Sequence, residues 1–435
     1  MARILLITYF FPPFNSVGCR RVYAWSKYLT AFGHEITVVT ADLPEEESAK
    51  TFDVDISFCD VHRLPYRDIR TVGKRMLGIE GSISKSVHVE STRNIKTIIA
   101  ERIVRIASYI SRRGVLYGQT RLPSFSDPWF SCAYKEAEGI IQEKYIDVII
   151  TSSPPPVVHR IGAALKRGFP EIPWIADFRD LWTQHPNQKG IFPFTLYERI
   201  VEKCCLRVAD ALITVTEGFR KALERKYANK ETFLIENGYD FDDDLSPAAT
   251  PVPTAMFLGT LYSTRHDLMP LLDAVKQLND EGRLEMRIEF YGPYITELIV
   301  ENALQKCPSI LGKVAFKGFL PYGSVIQKYK EASALLFFET DKHNDGVFTG
   351  KIYEYIATKK PILCIGIDEG SSISEFLKAT GICFLCGNDV EQIKDFLLKL
   401  QNGEIRVTPD DEFISRFSRK KQVEKVNGII ASHVK

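Results

Sequence analysis

Apolar positions along this chain come in blocks separated by helical stripes. Residues 4–8 form a near-unbroken apolar run, the pattern of a parallel strand covered on both faces. Helical spacing over residues 20–32 then puts Val22, Trp25, Leu29 and Phe32 on one stripe. Gly33 supplies a C-terminal break, and residues 35–40 read as a second strand. The rhythm returns at residues 147–151, 174–177 and 211–215. It restarts at 255–259, 287–292, 314–316, 334–338 and 361–366. Strands alternating with helical stretches predict an α/β chain of two doubly wound domains. Turn residues and an acidic run at 237–244, then the proline-rich stretch 246–253, mark the break between them.

One stretch departs from the rhythm. Residues 66–125 hold twelve Lys and Arg against four acids, and Ile95, Ile98, Ile99, Ile103, Ile106 and Ile110 recur at helical spacing. A basic amphipathic helix of this kind either packs on its domain with a solvated face or meets an anionic membrane surface.

Composition removes whole classes. With 435 residues, the prior is two or three domains at roughly 150 residues each. Apolar content of 45% and charged content of 26% exclude a disordered, collagen-like or coiled-coil chain. Fifty-six basic against 55 acidic residues leave no global charge to favour nucleic acid. The nine cysteines are scattered, and the N-terminal apolar run is too short for a secretory leader. They read as reduced thiols of a cytoplasmic protein. Residues 381–387, with Cys383 and Cys386, read as a short buried strand and not as a metal or redox motif. No run of 18 apolar residues spans a bilayer.

The chemistry-bearing motifs are few. No GxGxxG follows the first strand, and there is no GxxxxGK[ST] or GxSxG. The strongest signal is residues 345–363, where a loop enters a helix near Thr349 and Gly350 and a strand follows. Backbone N–H groups at such a helix start can hold a diphosphate, with Lys351 adding a cation. Glu354, one turn in, can accept two ribose hydroxyls. The alternative is an ordinary amphipathic helix with Glu354 on a solvated face.

Here the sequence resembles a glycosyltransferase of the GT-B fold, family 4, of the bacterial surface-polysaccharide type. Residues 348–363 are similar to that family's sugar-nucleotide segment. Five further segments agree in order: Tyr9 to Pro13 with Gly18 and Arg21, leading to 27–38; Thr151 to Pro156 with His159; Trp174 to Thr183; Glu236 to Asp240; and Gly259 to Tyr262. The match omits residues 66–125.

The resemblance implies two Rossmann-like domains facing across a cleft. The acceptor-binding domain would span 1–240, with the basic insert at about 66–125. The nucleotide-sugar domain would span 250–410, and a C-terminal helix over 411–435 would cross back. It implies transfer of a sugar, with retention, from a nucleotide-sugar donor to a glycan or lipid-linked glycan acceptor. No metal and no cofactor would be needed, and helix-end N–H groups and cations would stabilise the leaving diphosphate. The location would be cytoplasmic, peripheral on the inner face of the membrane where the insert meets it.

Among the donor-binding candidates, Gly259, Thr260, Arg265, Thr349, Gly350, Lys351 and Glu354 lie on the second domain. Phe319 stands in a segment that resembles the family's base-contact segment, and Gly18 lies on the first domain. Two departures stand out. Gly346 occupies the place of the family's first glutamate, and Thr260 that of a common arginine. Arg265 and Lys351 are therefore the diphosphate candidates. The catalytic candidates are Asp180, to orient the acceptor hydroxyl, Arg179, to pair with a carboxylate or phosphate, and His159. Each has a bland alternative: an internal Arg–Asp brace for the first two, packing or capping for the histidine. Ser152, Ser153 and Asp177 are the acceptor-side candidates. The run Asp242–Asp244 sits in a linker and reads as a solvated loop, not a metal site. A GT-B sugar-nucleotide epimerase and a non-catalytic sugar-nucleotide-binding protein are the competing functions.

Overall fold

The computed structural model describes residues 1–43, 52–65, 124, 126–184, 192–241, 245, 251–262, 266–339 and 350–434. The basic segment, apart from Ser124, and Asp242–Asp244 lie outside them. The chain forms two compact units, Met1–Ile235 with Lys425–Lys435, and Glu236–Glu424.

The first unit is built on a seven-stranded parallel sheet. Its strands are β1 (Arg3–Thr8), β2 (Glu35–Asp42), β3 (Asp60–Pro65), β4 (Val148–Ser153), β5 (Trp174–Phe178), β6 (Ala211–Thr214) and β7 (Glu231–Leu234). Their order is β3-β2-β1-β4-β5-β6-β7. The chain reverses its direction of winding between β1 and β4, where the carboxyl ends of a doubly wound sheet leave a crevice. The second unit has six parallel strands: β8 (Thr254–Leu258), β9 (Arg287–Tyr291), β10 (Val314–Phe316), β11 (Ala334–Phe338), β12 (Ile362–Ile365) and β13 (Cys383–Gly387). The order β10-β9-β8-β11-β12-β13 puts its switch point between β8 and β11.

Apolar runs become two-sided strands because successive side chains point to opposite faces. In the second unit Ala255, Phe257, Leu336, Phe338, Leu363 and Ile365 enter one core. Met256, Leu258, Leu335, Phe337, Ile362 and Cys364 enter the other. The two cores explain why these strands carry no polar alternation.

Three expectations are corrected. The first helix spans Val17–Ala31 and starts earlier than its apolar stripe, because the Ser16 hydroxyl caps it by accepting from the Cys19 amide at 3.1 Å. The edge strands β3 and β7 did not stand out in the pattern, because half-covered strands carry polar residues such as His62, Arg63 and Thr232. The strand β13 is half-buried rather than buried, as the outermost strand of its sheet. All nine cysteines are unbonded. Among the described residues no helix is long and apolar enough to cross a membrane.

The turn at Glu236–Asp240 is held by backbone pairing. Tyr239 donates to the Phe417 carbonyl at 3.1 Å, and Arg419 donates to the Tyr239 carbonyl at 2.8 Å. The helix Arg419–His433 follows, and its residues from Lys425 belong to the first unit. There Asn427 bonds His34 at 2.8 Å. A Cβ on Gly238 would stand 2.2 Å from the Phe417 carbonyl oxygen. Gly238→Ala is therefore expected to cost about 1–3 kcal/mol, as overpacking against backbone does. Urea unfolding checks this, and an unchanged midpoint would refute it.

Candidate functional site

The second unit gathers its candidates at the carboxyl ends of its central strands. Gly259 follows β8 with φ of +147°, a conformation that favours glycine. Its N–H donates to the Tyr291 carbonyl at 2.7 Å, and its own carbonyl accepts from the Thr296 hydroxyl at 3.0 Å. That hydroxyl also accepts from the Leu261 amide at 3.0 Å. A Cβ on Gly292, which follows β9, would lie 2.1 Å from the Gly259 carbonyl oxygen. Two strand-end loops thus touch backbone to backbone, and only glycines permit it.

The helix Gly350–Ala357 brings Lys351 onto this surface. The Lys351 Nζ lies 4.8 Å from the Phe257 ring centroid and 3.4 Å from the Thr260 carbonyl oxygen. It passes 1.6 Å from where a Cβ of Gly259 would be, so the ammonium occupies the space that the glycine leaves. Tyr355 fixes the helix to β8: its hydroxyl accepts from the Leu258 amide at 2.9 Å. Residues Ile352 to Ile356 are all buried. Glu354 is among them, 7% exposed, and accepts from the Tyr329 hydroxyl at 2.9 Å. It is not on a solvated face. Phe319 is 51% exposed beyond β10, and the Gly318 carbonyl beside it accepts from Gly292 at 3.1 Å. Gly259, Thr260, Gly350 and Lys351 thus come together, with Glu354 one turn along. Arg265, Gly346 and Thr349 lie outside the described residues.

In the first unit the candidates sort into two layers. Asp177 is fully buried at the end of β5. It accepts from Arg21 at 2.8 and 3.2 Å and from the Ser152 hydroxyl at 2.6 Å. The internal brace of this unit is therefore Arg21–Asp177, and Arg179 is directed elsewhere. The Arg179 amide and Nε both donate to the Ser153 carbonyl, at 3.0 and 3.1 Å. Its Nη2 donates to the Pro154 carbonyl at 2.6 Å. Its Nη1 lies 1.1 Å from a Cβ built on Gly18. The room at Gly18 is filled by a guanidinium. Desolvation draws the pKa of Arg179 down, and the charges of Asp177 and Asp180 oppose that shift. Asp180 is half-buried beside it.

His159 lies in the interior near the start of the helix Val157–Gly168. Its Nδ1 bonds the Thr151 hydroxyl at 2.8 Å, and that oxygen also accepts from Trp174 at 2.9 Å. Its ring packs 4.3 Å from Phe178. Among the described residues its Nε2 has no hydrogen-bond partner. Burial, helped by the Arg179 charge, pushes its pKa down to about 3, so the ring is neutral at pH 7. Among the described residues no group of three or more His, Cys, Asp or Glu is placed to hold a metal ion.

No family model matches the chain, and no curated protein matches its sequence. Solved structures do. A glycosyltransferase from Rickettsia africae aligns over 100% of this chain and 99% of its own, at 15% identity and a TM-score of 0.58. Anabaena HepE in complex with UDP aligns over 99% and 100%, at 12% identity and 0.57. The lipopolysaccharide outer core galactosyltransferase WaaB, in its apo form, aligns over 99% of each chain, at 12% identity and 0.53.

The fold is GT-B. In this GT-B chain several supporting residues were not singled out from the sequence. Gly292 carries the same strand-then-glycine signal as Gly259 and was legible. Tyr329, Tyr355 and Thr296 were not, because an apolar stripe does not say which hydroxyl meets which backbone atom. Arg21 stood in a motif without a partner, since Asp177 lies 156 residues away.

Two expected outcomes follow from these geometries. Arg21→Met strands a buried carboxylate and costs about 3–5 kcal/mol. Adding Asp177→Leu loses less than the two single effects combined, in a double-mutant cycle read by urea unfolding; additivity would deny the pairing. For His159, the unfolded chain binds the extra proton between pH 6.5 and 3, so stability falls as pH drops through that window and is fully present above it. His159→Asn is expected to flatten that decline by about 1.4 kcal/mol per pH unit in pH-dependent unfolding; parallel curves would contradict the buried neutral ring.

Proposed function

We propose that this protein is a glycosyltransferase of the family-4 type, which takes a sugar from a nucleotide-sugar donor bound by the second unit. The acceptor would be a glycan or lipid-linked glycan hydroxyl held by the first unit, with retention of configuration, in surface-polysaccharide synthesis. The observation that carries the reading is Lys351 laid across Gly259 beside Thr260, at the β8–β11 switch point. A cation fixed there, next to the start of a helix, suits a diphosphate whose charge grows as the sugar leaves. Preformed positive groups of this kind do the work a metal does elsewhere, so the reaction is proposed to need none. Glu354, held by Tyr329, keeps an oriented carboxylate for the ribose hydroxyls. Arg179 and Asp180 would meet the acceptor, and a cytoplasmic site of action fits a nucleotide donor.

UDP is bound in the HepE structure and in that of S. aureus TarM, which makes it the first nucleotide to test. A melting-temperature screen with UDP, GDP, dTDP, ADP and CMP is expected to give one clear stabilisation. Lys351→Ala and Glu354→Ala are each expected to weaken that nucleotide on the order of tenfold in calorimetry. Transfer to a glycan acceptor is expected to survive EDTA. A screen with no shift for any nucleotide would overturn the donor site. Donor epimerisation without acceptor would move the assignment to an epimerase, and nucleotide binding without turnover would leave only a sugar-nucleotide-binding protein.

A further inference from the structure

The second sheet ends on an edge without built-in protection. An outermost strand shows a row of unpaired N–H and C=O groups, and proteins blunt such rows with charge, proline or brevity. Among the described residues, three of the four outer strands are blunted in this way. β3 carries Asp60, His62, Arg63 and Pro65. β7 has four residues and opens on Glu231, and β10 has three. β13 reads Cys-Phe-Leu-Cys-Gly, with no charge and no proline. Its inner side is paired with β12: Ile362 donates to the Ile382 carbonyl at 3.0 Å, and Leu363 stands opposite Phe384. Backbone groups alternate in direction along a strand, so those of Cys383 and Leu385 point away from β12. Among the described residues no strand pairs with them.

A cleft of about 470 Å³ runs beside this edge. Its apolar floor is Phe384, Leu385, Phe396 and Ile405, with the Phe384 and Phe396 rings 5.0 Å apart. Its rim is the helix Val390–Gln401, which presents Glu391, Asp395 and Lys399 in steps of four along one face. The Glu391 and Lys399 side chains are 75% and 51% exposed. The order of charge along that face selects the occupant. A second copy, turned about a two-fold axis, presents the same stripe reversed, so Glu391 meets the partner's Lys399 and Lys399 meets the partner's Glu391. Asp395 falls at the axis and already holds Lys399 at 2.7 Å, so it does not meet its twin as a bare charge. The strand has the same centre. Leu385 is the middle residue of β13, and two antiparallel copies of it placed opposite one another exchange both N–H···O bonds. Four strand steps from Cys383 to Gly387 and eight helix steps from Glu391 to Lys399 each span about 12–13 Å, so one axis serves both rows. A foreign strand would satisfy the backbone equally but has no reason to match this charge order.

We propose that β13 and the helix Val390–Gln401 form a docking surface for a second copy of this chain, with the two β13 strands antiparallel through Leu385. The two six-stranded sheets then run as one across the axis. The proposal does not depend on sugar transfer.

Sedimentation equilibrium of the full chain tests it. A species of twice 49.4 kDa is expected at about 10 μM and above. Glu391→Lys sets like charges opposite Lys399, and Lys399→Glu sets them opposite Glu391. Each alone is expected to weaken the dimer about tenfold. Mixing the two variants in equal amounts is expected to restore it, because the introduced charges then face each other with opposite signs, as do the native ones. Leu385→Pro removes the outward donor and leaves the bonds to β12 in place, so it is expected to lower association about tenfold or more. Hydrogen exchange of the wild-type chain needs no variant to fold: amides within 383–387 are expected to slow as concentration rises through the dimer midpoint. Three results would overturn the proposal. The chain stays monomeric at about 100 μM, which leaves the edge to a foreign strand; it dimerises while exchange at 383–387 is independent of concentration; or the mixed variants associate no better than either alone.

Discussion

In each unit a cation lies where a glycine has left room for it. Arg179 fills the space above Gly18, and Lys351 fills the space above Gly259. Both glycines follow the first strand of their sheet, at the point where the winding reverses. The physics is the same twice. A bare α-carbon lets a charged head descend onto backbone, and carbonyl oxygens hold it there: Ser153 and Pro154 for Arg179, Thr260 for Lys351. A long side chain is thereby held in one arrangement. This chain thus carries a positive side chain at the carboxyl edge of each sheet.

The fully buried acid nearest Arg179 in the chain is engaged elsewhere. Asp177 sits two residues from Arg179 and would neutralise it if the two paired. Arg21 and Ser152 take its oxygens instead. Burying an Arg–Asp pair is rarely a net gain in stability. Here it leaves Arg179 to the Ser153 and Pro154 carbonyls. His159 then has to remain neutral, since a second positive charge beside Arg179 would meet the same desolvation without a counterion. In the second unit Tyr329 plays a comparable part by orienting Glu354.

The amount of this that was legible in the sequence follows from the range of each interaction. Strands covered on both faces announce themselves as apolar runs, so the doubly wound pattern was readable, while the polar edges β3 and β7 did not stand out. Gly259 and Lys351 were readable as residue types beside a strand end and a helix start. Their contact was not, since it joins residues 92 positions apart in the chain. Arg21 and Asp177 are further apart still. The solvated alternative for Glu354 rested on treating its helix as amphipathic. Ile352 to Ile356 are covered on every side, and one-dimensional periodicity does not distinguish the two cases.

The same limit explains the helix Phe194–Leu206. Its sequence contains a clear apolar stripe and a clear polar one, and spacing alone assigns the apolar stripe to the interior. In the structure Glu198 and Glu202 face inward instead, and Lys226, from the neighbouring helix Glu217–Lys226, reaches one Glu202 oxygen. A carboxylate with a cation and a hydroxyl waiting inside has less reason to stay in water. With the acids inside, Leu196 and Ile200 lie outward, each 54% exposed. Which face of an amphipathic helix the solvent sees is set by partners distant in the chain, and periodicity within the helix does not carry that information.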